Sequence, residues 1–437
     1  MNRILVILFL IPVLVRGQHI QVYFNQTVNN AISAVADAQY IAHPDDSICA
    51  FIDRSQSSID IAVWDNGSAK IVTALNNAYI RGITVRYISS SNSLNTALSG
   101  LNANIPVLER DASINTNVMH NKFIIADATR VFTGSMNFGD GSMFDDYNNF
   151  LIIEDQALAQ NYLTEFNEMW GGPGPVPNTA NSKFGPDKSD NTTHNFTIDA
   201  GAVELYFSPT DQTTSHIIDA INSADHTLDI AMFTFINNDL GDAVIDAKNR
   251  GVTVRAIIEN VNYIGSEFNG LIDAGIIALS HSQAAYDFHH KYCIIDAGFP
   301  SSDPMVVTGS HNWTNSAEED NDENTLIIHN HEIANEYSEE FGQRFAELTG
   351  THTLQHFDKS GIRVSASSQS GVYSIHSDEA WQNASIEVVD IGGRIISKGI
   401  LSGNCEAKID ISAQPVGLYI VRIRSKSQVA SFKLSKD

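Results

Sequence analysis

The pattern of apolar and polar positions occurs twice along the chain, at a constant offset in residue number. Residues 59–64 (IDIAVW) recur as residues 228–233 (LDIAMF), and residues 81–86 (RGITVR) recur as residues 250–255 (RGVTVR). Because one offset relates two separate segments, we infer that the chain contains two copies of one structural unit.

Each copy predicts alternating strands and helices. An apolar run rich in β-branched residues is followed by a helix-like stretch, residues 69–79 in the first copy and 240–249 in the second. The RGITVR and RGVTVR segments come next, and we interpret them as buried strands. Strand, helix, strand order favours a mainly parallel sheet with helices on its faces, so the fold class predicted for each copy is α/β.

The remaining segments differ in composition from the two copies. The N-terminus places Arg3 before an apolar run at residues 4–15, the order typical of a secretory signal peptide, with a buried strand or a lipid-side anchor as alternatives. Short alternating segments separated by Gly-containing turns predict a small C-terminal β-sandwich. The predicted boundaries are a signal peptide at 1–17, a first repeat at 18–172, a connector at 173–200, a second repeat at 201–350, a linker at 351–364 and the sandwich at 365–437.

The charge is strongly negative and unevenly distributed. The chain has 51 Asp and Glu against 26 Lys and Arg, a net charge of −25. Residues 18–359 carry 44 acidic against 15 basic residues, a net −29, whereas the tail from residue 360 carries nine basic against seven acidic residues. The negative net charge excludes a broad basic surface for nucleic acid or anionic membranes but allows a narrow basic pocket.

The chain has three cysteines and no CxxC pair: Cys49, Cys293 and Cys405. This predicts free thiols, or one incidental bridge, rather than a disulfide framework or a zinc site.

The candidate chemistry follows the same repeat. Each copy contains one HxKxxxxD motif, and the two motifs are related by the same offset as the strand segments. Residues two apart in a strand share a face, so the His and the Lys of each motif project together, while the Asp lies at the strand end or on the other face. The motif residues are His120, Lys122 and Asp127 in the first copy, and His289, Lys291 and Asp296 in the second.

A second polar cluster follows each motif, now at a larger offset because the second copy has a longer loop at 298–304. It reads GSMN in the first copy and GSHN in the second, and its Ser and Asn side chains are candidate hydrogen-bond donors to one pocket. One further Asn in each copy keeps this larger offset. The residues concerned are Ser135, Asn137 and Asn149 in the first copy, and Ser310, Asn312 and Asn324 in the second.

HxKxxxxD followed by GSxN, present twice in one chain, resembles the phospholipase D superfamily in its two-motif form. The Trp-Gly-Gly sequence at residues 170–172 and the Phe-Ser-Pro sequence at 207–209 are also similar to this family. The resemblance covers about 330 residues of the sequence and is closest to the branch of small nucleases and cardiolipin hydrolases. It implies two tandem α/β/α repeats packed as a pseudo-dimer, and phosphodiester hydrolysis without a metal or another cofactor.

The resemblance also implies roles for individual residues. His120 is expected to attack phosphorus and form a phosphohistidine, and His289 to protonate the leaving oxygen and then activate water. The two motif lysines and the Ser and Asn residues of the GSxN clusters would hold the phosphoryl oxygens. Glu323 would orient a catalytic imidazole, and its counterpart Asn148 makes the two histidines unequal. Asp127, Asp296, Asn149 and Asn324 are expected to be supporting residues.

Two considerations of charge agree with these roles. The oxygens of a phosphodiester are negative, so the site needs a neutral nucleophile and cations for the transition state. One imidazole must be neutral while the other is charged, which predicts a bell-shaped pH profile.

Other interpretations of the same residues stay open. His289 and His290, with Asp287 and His281 nearby, have the composition of a metal site, although the first copy lacks a second histidine beside His120. The motif contacts only the phosphate, so the substrate is either a phospholipid, which the acidic charge favours, or DNA or RNA cleaved by a metal-independent secreted endonuclease. The sequence contains no evident amphipathic helix or apolar cluster for membrane docking. A non-catalytic cell-surface adhesin is the third alternative.

The tail resembles the C-terminal sorting domain of bacterial type IX secretion. The resemblance rests on residues 388–394 (VVDIGGR), 417–423 (GLYIVRI) and 431–434 (SFKL). It implies passage through the periplasm and across the outer membrane, with the secretion machinery as a partner and a secreted or cell-surface location. An ordinary adhesion or carbohydrate-binding sandwich is the alternative. No obligate protein partner is evident from the sequence.

Overall fold

The computed structural model describes most of the two repeats and part of the tail. The predicted signal peptide at 1–17 and most of the predicted linker at 351–364 lie outside the described residues, as does Cys405, while Cys49 and Cys293 are free thiols. The described residues are 19–28, 30, 37–92, 94–111, 117–199, 201–282, 284–349, 356–357, 362–366, 371–377, 381–390, 394–401, 406–415, 417–425 and 429–436.

The first repeat forms an eight-stranded sheet with helices packed on it. Its strands are β1 (Ile20–Phe24), β2 (Gln39–Tyr40), β3 (Ser58–Val63), β4 (Thr84–Ser90), β5 (Val107–Arg110), β6 (Lys122–Ala126), β7 (Arg130–Gly134) and β8 (Asn149–Ile153). Its helices are α1 (Pro44–Asp53), α2 (Ala69–Ile80), α3 (Asp140–Phe144) and α4 (Gln156–Trp170). The strand order is β2-β1-β8-β7-β6-β3-β4-β5. Strand β4 pairs parallel with both β3 and β5. On the other side of β3, each neighbouring pair from β3 through β6, β7 and β8 to β1 is antiparallel.

The second repeat has the same topology. Its strands are β9 (Asn195–Ile198), β10 (Gly201–Ser208), β11 (Thr227–Met232), β12 (Thr253–Ile258), β13 (Ile277–Ser280), β14 (Lys291–Ile295), β15 (Met305–Gly309) and β16 (Glu323–His329). Its helices are α5 (Thr213–Asn222), α6 (Asn238–Arg250), α7 (Phe268–Asp273), α8 (Asn315–Glu319) and α9 (His331–Thr349). The order β13-β12-β11-β14-β15-β16-β10-β9 matches that of the first sheet, with β11 in the place of β3 and β14 in the place of β6.

The predicted α/β class with two tandem repeats is confirmed, but the expectation of mainly parallel sheets is wrong. Residues 127–129 alone join β6 to β7, and a connection this short allows only an antiparallel hairpin. The predicted helices at 69–79 and 240–249 correspond to α2 and α6. The strand expected at residues 81–86 begins only at Thr84, because Arg81 caps α2 and Gly82 turns the chain with a φ of 91°.

The two repeats share one hydrophobic core. Long helices α4 and α9 lie against the sheets, and aromatic side chains from both repeats are completely buried in a single cluster. Among them are Phe123, Trp170, Phe207, Tyr292 and Phe341. Burial of side chains of this size stabilises a fold by about 1.5–3 kcal/mol each. The repeats therefore pack as the pseudo-dimer that the resemblance implies.

The tail forms a small β-sandwich, as predicted. Its first sheet has the order β17-β18-β19-β22 and its second the order β21-β20-β23-β24, and all pairs are antiparallel. Buried residues of both sheets, among them Tyr373 and Val421, form one core together with Trp381, which precedes β20. The strands are β17 (His356–Phe357), β18 (Ile362–Ala366), β19 (Val372–Ser377), β20 (Ser385–Asp390), β21 (Ile395–Ile400), β22 (Glu406–Asp410), β23 (Gly417–Arg424) and β24 (Val429–Lys436). Among the described residues of the whole chain, none of the helices has the length and apolar character of a membrane span.

Candidate active site

Two short β-bridges join the repeats at the two motifs. Met119 pairs with Asp322, and Tyr147 pairs with Phe288, both in parallel orientation. These pairs are equivalent to each other through the two offsets found in the sequence. The pseudo-twofold arrangement places His120 and His289 in the wall of one pocket between the repeats, with a volume of about 590 Å³.

The two motif lysines lie behind the histidines at the first residues of β6 and β14. Lys122 is 0% exposed and Lys291 is 2% exposed. The Nζ of Lys122 donates to the carbonyl oxygen of His120, and the Nζ of Lys291 donates to that of His289 at 2.8 Å. Burial lowers the pKa of Lys122 to about 8 and also lowers that of Lys291. Neither lysine has a carboxylate within ion-pair distance among the described residues, so both are available to an anion.

His120 is held by a carboxylate from the other repeat. Its Nδ1 lies 2.8 and 2.9 Å from the two oxygens of Glu323, which also accepts a hydrogen bond from Ser310 at 2.6 Å. Burial alone would raise the pKa of Glu323, but His120 and Lys122 lower it to about 2, so this carboxylate is ionised. Burial lowers the pKa of His120 to about 4. His120 is therefore neutral near pH 7, with the Nδ1 proton donated to Glu323 and the Nε2 lone pair free.

His289 is held in the reciprocal way, but by an amide. Its Nδ1 lies 3.0 Å from Oδ1 of Asn148, which occupies the position equivalent to Glu323. Ser135 donates to the same Oδ1 at 2.8 Å. Burial, and then the positive charges of Lys291 and Lys122, lower the pKa of His289 well below its usual range. The two histidines are thus electrostatically unequal, as the Glu323 and Asn148 difference predicts.

The other predicted phosphate ligands divide into two kinds. Asn137 lines the pocket and is 4% exposed, and its Oδ1 has no hydrogen-bond partner among the described residues. The Oδ1 of Asn312 likewise has no partner in the described part of the chain. Ser135 and Ser310 instead use their hydroxyl groups on Asn148 and Glu323. These serines therefore orient the residues that hold the histidines.

Asn149 and Asn324 brace the interface between the repeats. Asn324 Nδ2 donates to Oδ1 of Asn121 at 2.8 Å, and Oδ1 of Asn149 lies 3.3 Å from Nδ1 of His290. Asn121 and His290 directly follow the two motif histidines, so each contact fixes the strand that carries a catalytic candidate. Both asparagines are fully buried and do not line the pocket.

Asp127 and Asp296 do not line the pocket, although they belong to the same HxKxxxxD motifs as the catalytic candidates. Each follows the far end of its motif strand, about 17 Å from the motif lysine at the rise of an extended chain. The Asp127 carboxylate accepts the backbone N–H of Ser57 at 2.7 Å, and Asp296 accepts that of Thr227 at 2.6 Å. Both aspartates have a positive φ, of 54° and 51°. They secure the turns that precede β3 and β11.

The alternative metal site is not formed by the residues considered for it. His290 Nε2 lies 3.2 Å from Glu340, and His281 Nδ1 lies 3.0 Å from Glu259. Each of these histidines thus faces a carboxylate of its own, and His289 faces Asn148.

Two aromatic residues at the pocket were not predicted. The Trp64 ring lies 5.7 Å from that of His120, and the Phe233 ring lies 4.7 Å from that of His289. Both line the pocket. Each is the last residue of the first repeated segment in its copy, so the constant offset of the repeat already pairs the two positions in the sequence. The acidic residues of the pocket wall give no such signal, because they come from separate loops and from the first residue of α3: Asp65, Asp140, Asp146 and Asp287.

Comparison with known proteins agrees with this architecture. The family described as "Cardiolipin synthase, PLD-like domain" matches residues 48–170 and 217–345, which together are more than half of the chain. The family described as "Secretion system C-terminal sorting domain" matches residues 368–437. The latter match indicates export to the cell surface or secretion, through the type IX machinery that reads such domains.

Individual relatives cover parts of the chain. A mitochondrial cardiolipin hydrolase of Chlamydomonas reinhardtii is 34% identical over 137 residues, which are 31% of this chain and 58% of the relative. A phospholipase D of Rickettsia felis is 37% identical over 114 residues, which are 26% of this chain and 56% of the relative. The chain thus spans less than two thirds of the length of these relatives. The crystal structure of phosphatidylserine synthase from Haemophilus influenzae covers 70% of this chain and 85% of its own, with a TM-score of 0.53 and 14% identity, and shares the fold.

Proposed function

Because the chain belongs to the phospholipase D-like family, we propose that it is a secreted phosphodiester hydrolase that acts on phospholipids through a phosphohistidine intermediate. One observation carries the proposal. A single pocket is lined by two histidines that are neutral at rest, and a buried lysine without an ion-pair partner among the described residues donates to the carbonyl oxygen of each histidine. That combination suits an anionic diester, which must be attacked by a neutral nucleophile and stabilised by cations.

In the first step, His120 attacks the phosphorus atom. The Nε2 lone pair forms the P–N bond, and the P–O bond to the leaving alcohol breaks. The imidazole becomes cationic, and Glu323 at 2.8 Å stabilises that charge. Lys122 and Lys291 stabilise the oxygens of the transition state. The leaving oxygen takes a proton from His289.

His289 takes up a proton from solution when the substrate binds. Two neighbouring lysines lower the pKa of this histidine in the free pocket. A phosphodiester anion between them offsets their charge, so binding of substrate raises the pKa of His289 and favours its protonated form.

In the second step, His289, now neutral, takes a proton from a water molecule that attacks phosphorus. The P–N bond breaks and His120 regains its lone pair. The products are an alcohol and a phosphomonoester. His120 is neutral again, and His289 carries the proton taken from water, which it releases to solvent when the product leaves and its pKa falls back.

The preference for a lipid rests on charge. Residues 18–359 have a net charge of −29, and a long polyanion would meet this field along its whole length. A phospholipid presents only a few charges to the pocket. The relative from Chlamydomonas reinhardtii is named as a cardiolipin hydrolase, which also supports a lipid substrate. The export domain is compatible with a lipid substrate outside the cell.

The decisive experiment uses His120→Asn, with His43→Asn as matched control because His43 is exposed and outside the pocket. Bis(p-nitrophenyl) phosphate, head-group-labelled phospholipid vesicles and single-stranded DNA are tested side by side. We expect His120→Asn to lose activity, and His289→Asn to accumulate an alkali-stable, acid-labile phosphoryl label on the protein. Cleavage of DNA alone would establish the endonuclease instead of the phospholipase. Equal activity of His120→Asn and His43→Asn would overturn the mechanism, and inactivity of the wild type on all three would favour the adhesin.

A further inference from the structure

The connector between the two repeats contacts the segment that carries Glu323. The sequence of residues 173–200 has no periodicity and predicts no more than a link between the repeats. Gly185 of this connector is buried, and its backbone N–H donates to Oδ1 of Asp322 at 2.8 Å. Lys188 is buried too, and its Nζ lies 3.1 Å from the same Oδ1. The connector therefore binds the residue that directly precedes Glu323.

Asp322 links Glu323 to His120 through the backbone. Its carbonyl oxygen accepts the backbone N–H of His120 at 2.9 Å, and its own N–H donates to the carbonyl oxygen of Val118 at 3.1 Å. The next side chain is that of Glu323, whose carboxylate oxygens lie 2.8 and 2.9 Å from Nδ1 of His120. Because Asp322 and Glu323 are consecutive, a displacement of Asp322 changes the distance between the Glu323 carboxylate and the imidazole.

The Asp322 side chain is fixed by a buried cluster of four charges, which we call the Asp322 cluster: Arg110, Glu165, Lys188 and Asp322. Arg110 Nη1 donates to Oδ2 of Asp322 at 2.6 Å. Lys188 Nζ donates to the Glu165 carboxylate and, at 2.9 Å, to the carbonyl oxygen of Ser208. The Lys188 and Asp322 side chains are 0% exposed, and that of Glu165 is 2% exposed. Two cations thus match two carboxylates, as buried charges require.

The backbone at Gly185 allows the connector to approach this closely. Gly185 has a φ of 54°, and a Cβ atom there would lie 2.7 Å from Nη2 of Arg110 and 2.7 Å from the carbonyl oxygen of Asp320. A residue with a side chain would therefore separate the connector from Asp322. The close approach brings Lys188, three residues later, within reach of both carboxylates of the Asp322 cluster.

The equivalent position in the other repeat is held in a different way. Asp322 corresponds to Tyr147, which likewise precedes the residue that holds a motif histidine. The Tyr147 ring lies 4.8 Å from the ring of His281, and the Arg344 guanidinium lies 5.2 Å from the Tyr147 ring. The connector and the Asp322 cluster thus serve the half of the site that contains the proposed nucleophile.

We propose, building on the proposed function, that Lys188 is a positioning residue for the nucleophile, because through Asp322 it keeps the Glu323 carboxylate against His120. Lys188 does not touch the substrate, since its side chain is 0% exposed. The charge of Glu323 stabilises the cationic imidazole only while the two groups stay at hydrogen-bond distance. A displaced carboxylate therefore slows the chemical step and leaves substrate binding unchanged.

The test is a double-mutant cycle with Glu323 in the full chain, with bis(p-nitrophenyl) phosphate as substrate. We expect Lys188→Met to lower kcat about tenfold and to change KM by less than about twofold. In the Glu323→Gln background the same substitution should lower kcat by less than about twofold, because the contact that Lys188 secures is already lost. Lys183→Met, at an exposed lysine of the same connector, is the matched control and should leave kcat unchanged in both backgrounds.

The cluster can tolerate the loss of the Lys188 charge. Burial raises the pKa of Glu165 to about 7 even beside Lys188, so this carboxyl group takes up a proton when the ammonium group is removed. Asp322 keeps its ion pair with Arg110. Asp322→Asn is a second variant at the same contact, and its effect on kcat should also disappear in the Glu323→Gln background.

An NMR measurement tests the geometry in the resting protein without turnover. The Nδ1 proton that His120 donates to a carboxylate resonates far downfield, and the signal is assigned by its loss in His120→Asn. We expect Lys188→Met to move this resonance upfield and Lys183→Met to leave it in place.

The outcomes separate this inference from the proposed function. Equal losses of kcat in the wild-type and Glu323→Gln backgrounds, or an unmoved Nδ1 resonance in Lys188→Met, would overturn the role of Lys188 and leave the proposed function standing. A wild type that does not hydrolyse the ester, but whose Nδ1 resonance moves as expected in Lys188→Met, would overturn the proposed function and support the positioning of Glu323.

Discussion

The contact between Glu323 and His120 allows the sharpest test of the mechanism. Glu323→Gln keeps the size of the side chain and one hydrogen bond but removes the negative charge that lies 2.8 Å from Nδ1. In the proposed first step the imidazole becomes a cation, so the carboxylate is worth more in the transition state than in the resting enzyme. The variant is therefore expected to lower kcat and kcat/KM together.

The magnitude follows from the geometry. Two unit charges about 4 Å apart, at an effective dielectric constant of about 20, attract each other by about 4 kcal/mol. Gln retains a neutral hydrogen bond of about 1 kcal/mol, which leaves a loss of about 3 kcal/mol. Since about 1.4 kcal/mol is a factor of ten in rate, kcat should fall about 10²-fold.

The pH profile separates a catalytic effect from a structural one. In the proposed mechanism neutral His120 is the nucleophile, so kcat/KM is expected to rise with pH through its pKa, which is about 4 in the free protein. Glu323 raises this pKa, so Glu323→Gln should move the acid limb to lower pH while the plateau falls. Glu319→Gln at the exposed end of α8 is the control, and thermal unfolding checks the fold of both. A kcat within threefold of wild type, or an unmoved acid limb, would refute the role of Glu323.

Three further predictions test other parts of the structure. Asn148→Asp places a carboxylate beside His289, which raises the pKa of this general acid and should move the alkaline limb of kcat up by about one pH unit; an unmoved limb would count against the assignment. Asp296→Asn removes the charge that accepts three backbone N–H groups and should lower the free energy of unfolding in urea by about 2–3 kcal/mol, whereas Asp273→Asn should change it by less than about 0.5 kcal/mol. Excess EDTA should leave hydrolysis of bis(p-nitrophenyl) phosphate unchanged, and a loss that added metal restores would contradict the two-histidine mechanism.

The repeat made much of the architecture predictable from the sequence. One constant offset relates β3 to β11 and β6 to β14, and the helices α2 and α6 follow from their amphipathic pattern. Whether neighbouring strands run parallel or antiparallel was not predictable from the repeat. It depends on the short hairpin at residues 127–129, and a local pattern of apolar residues does not state which neighbour a strand pairs with.

The site was predictable in its residues but not in its pairings. The family resemblance implies that Glu323 orients a catalytic imidazole, yet only the packing of the two repeats shows that its carboxylate contacts His120, 203 positions earlier in the chain. Ser135 and Ser310 were expected to bind phosphate because a serine two residues from an asparagine has the right spacing for it. Their hydroxyl groups are committed to Asn148 and Glu323, which a strand pattern cannot reveal.

The negative net charge is compatible with an anionic substrate because the lysines and the carboxylates lie at different depths of the site. Lys122 and Lys291 are buried at the floor, where few water molecules screen them, so two cations suffice for one phosphodiester. The carboxylates lie around the open space above and oppose any second anion. This difference in depth would allow a region with a net charge of −29 to act on a phosphodiester, as proposed, and still disfavour a polynucleotide.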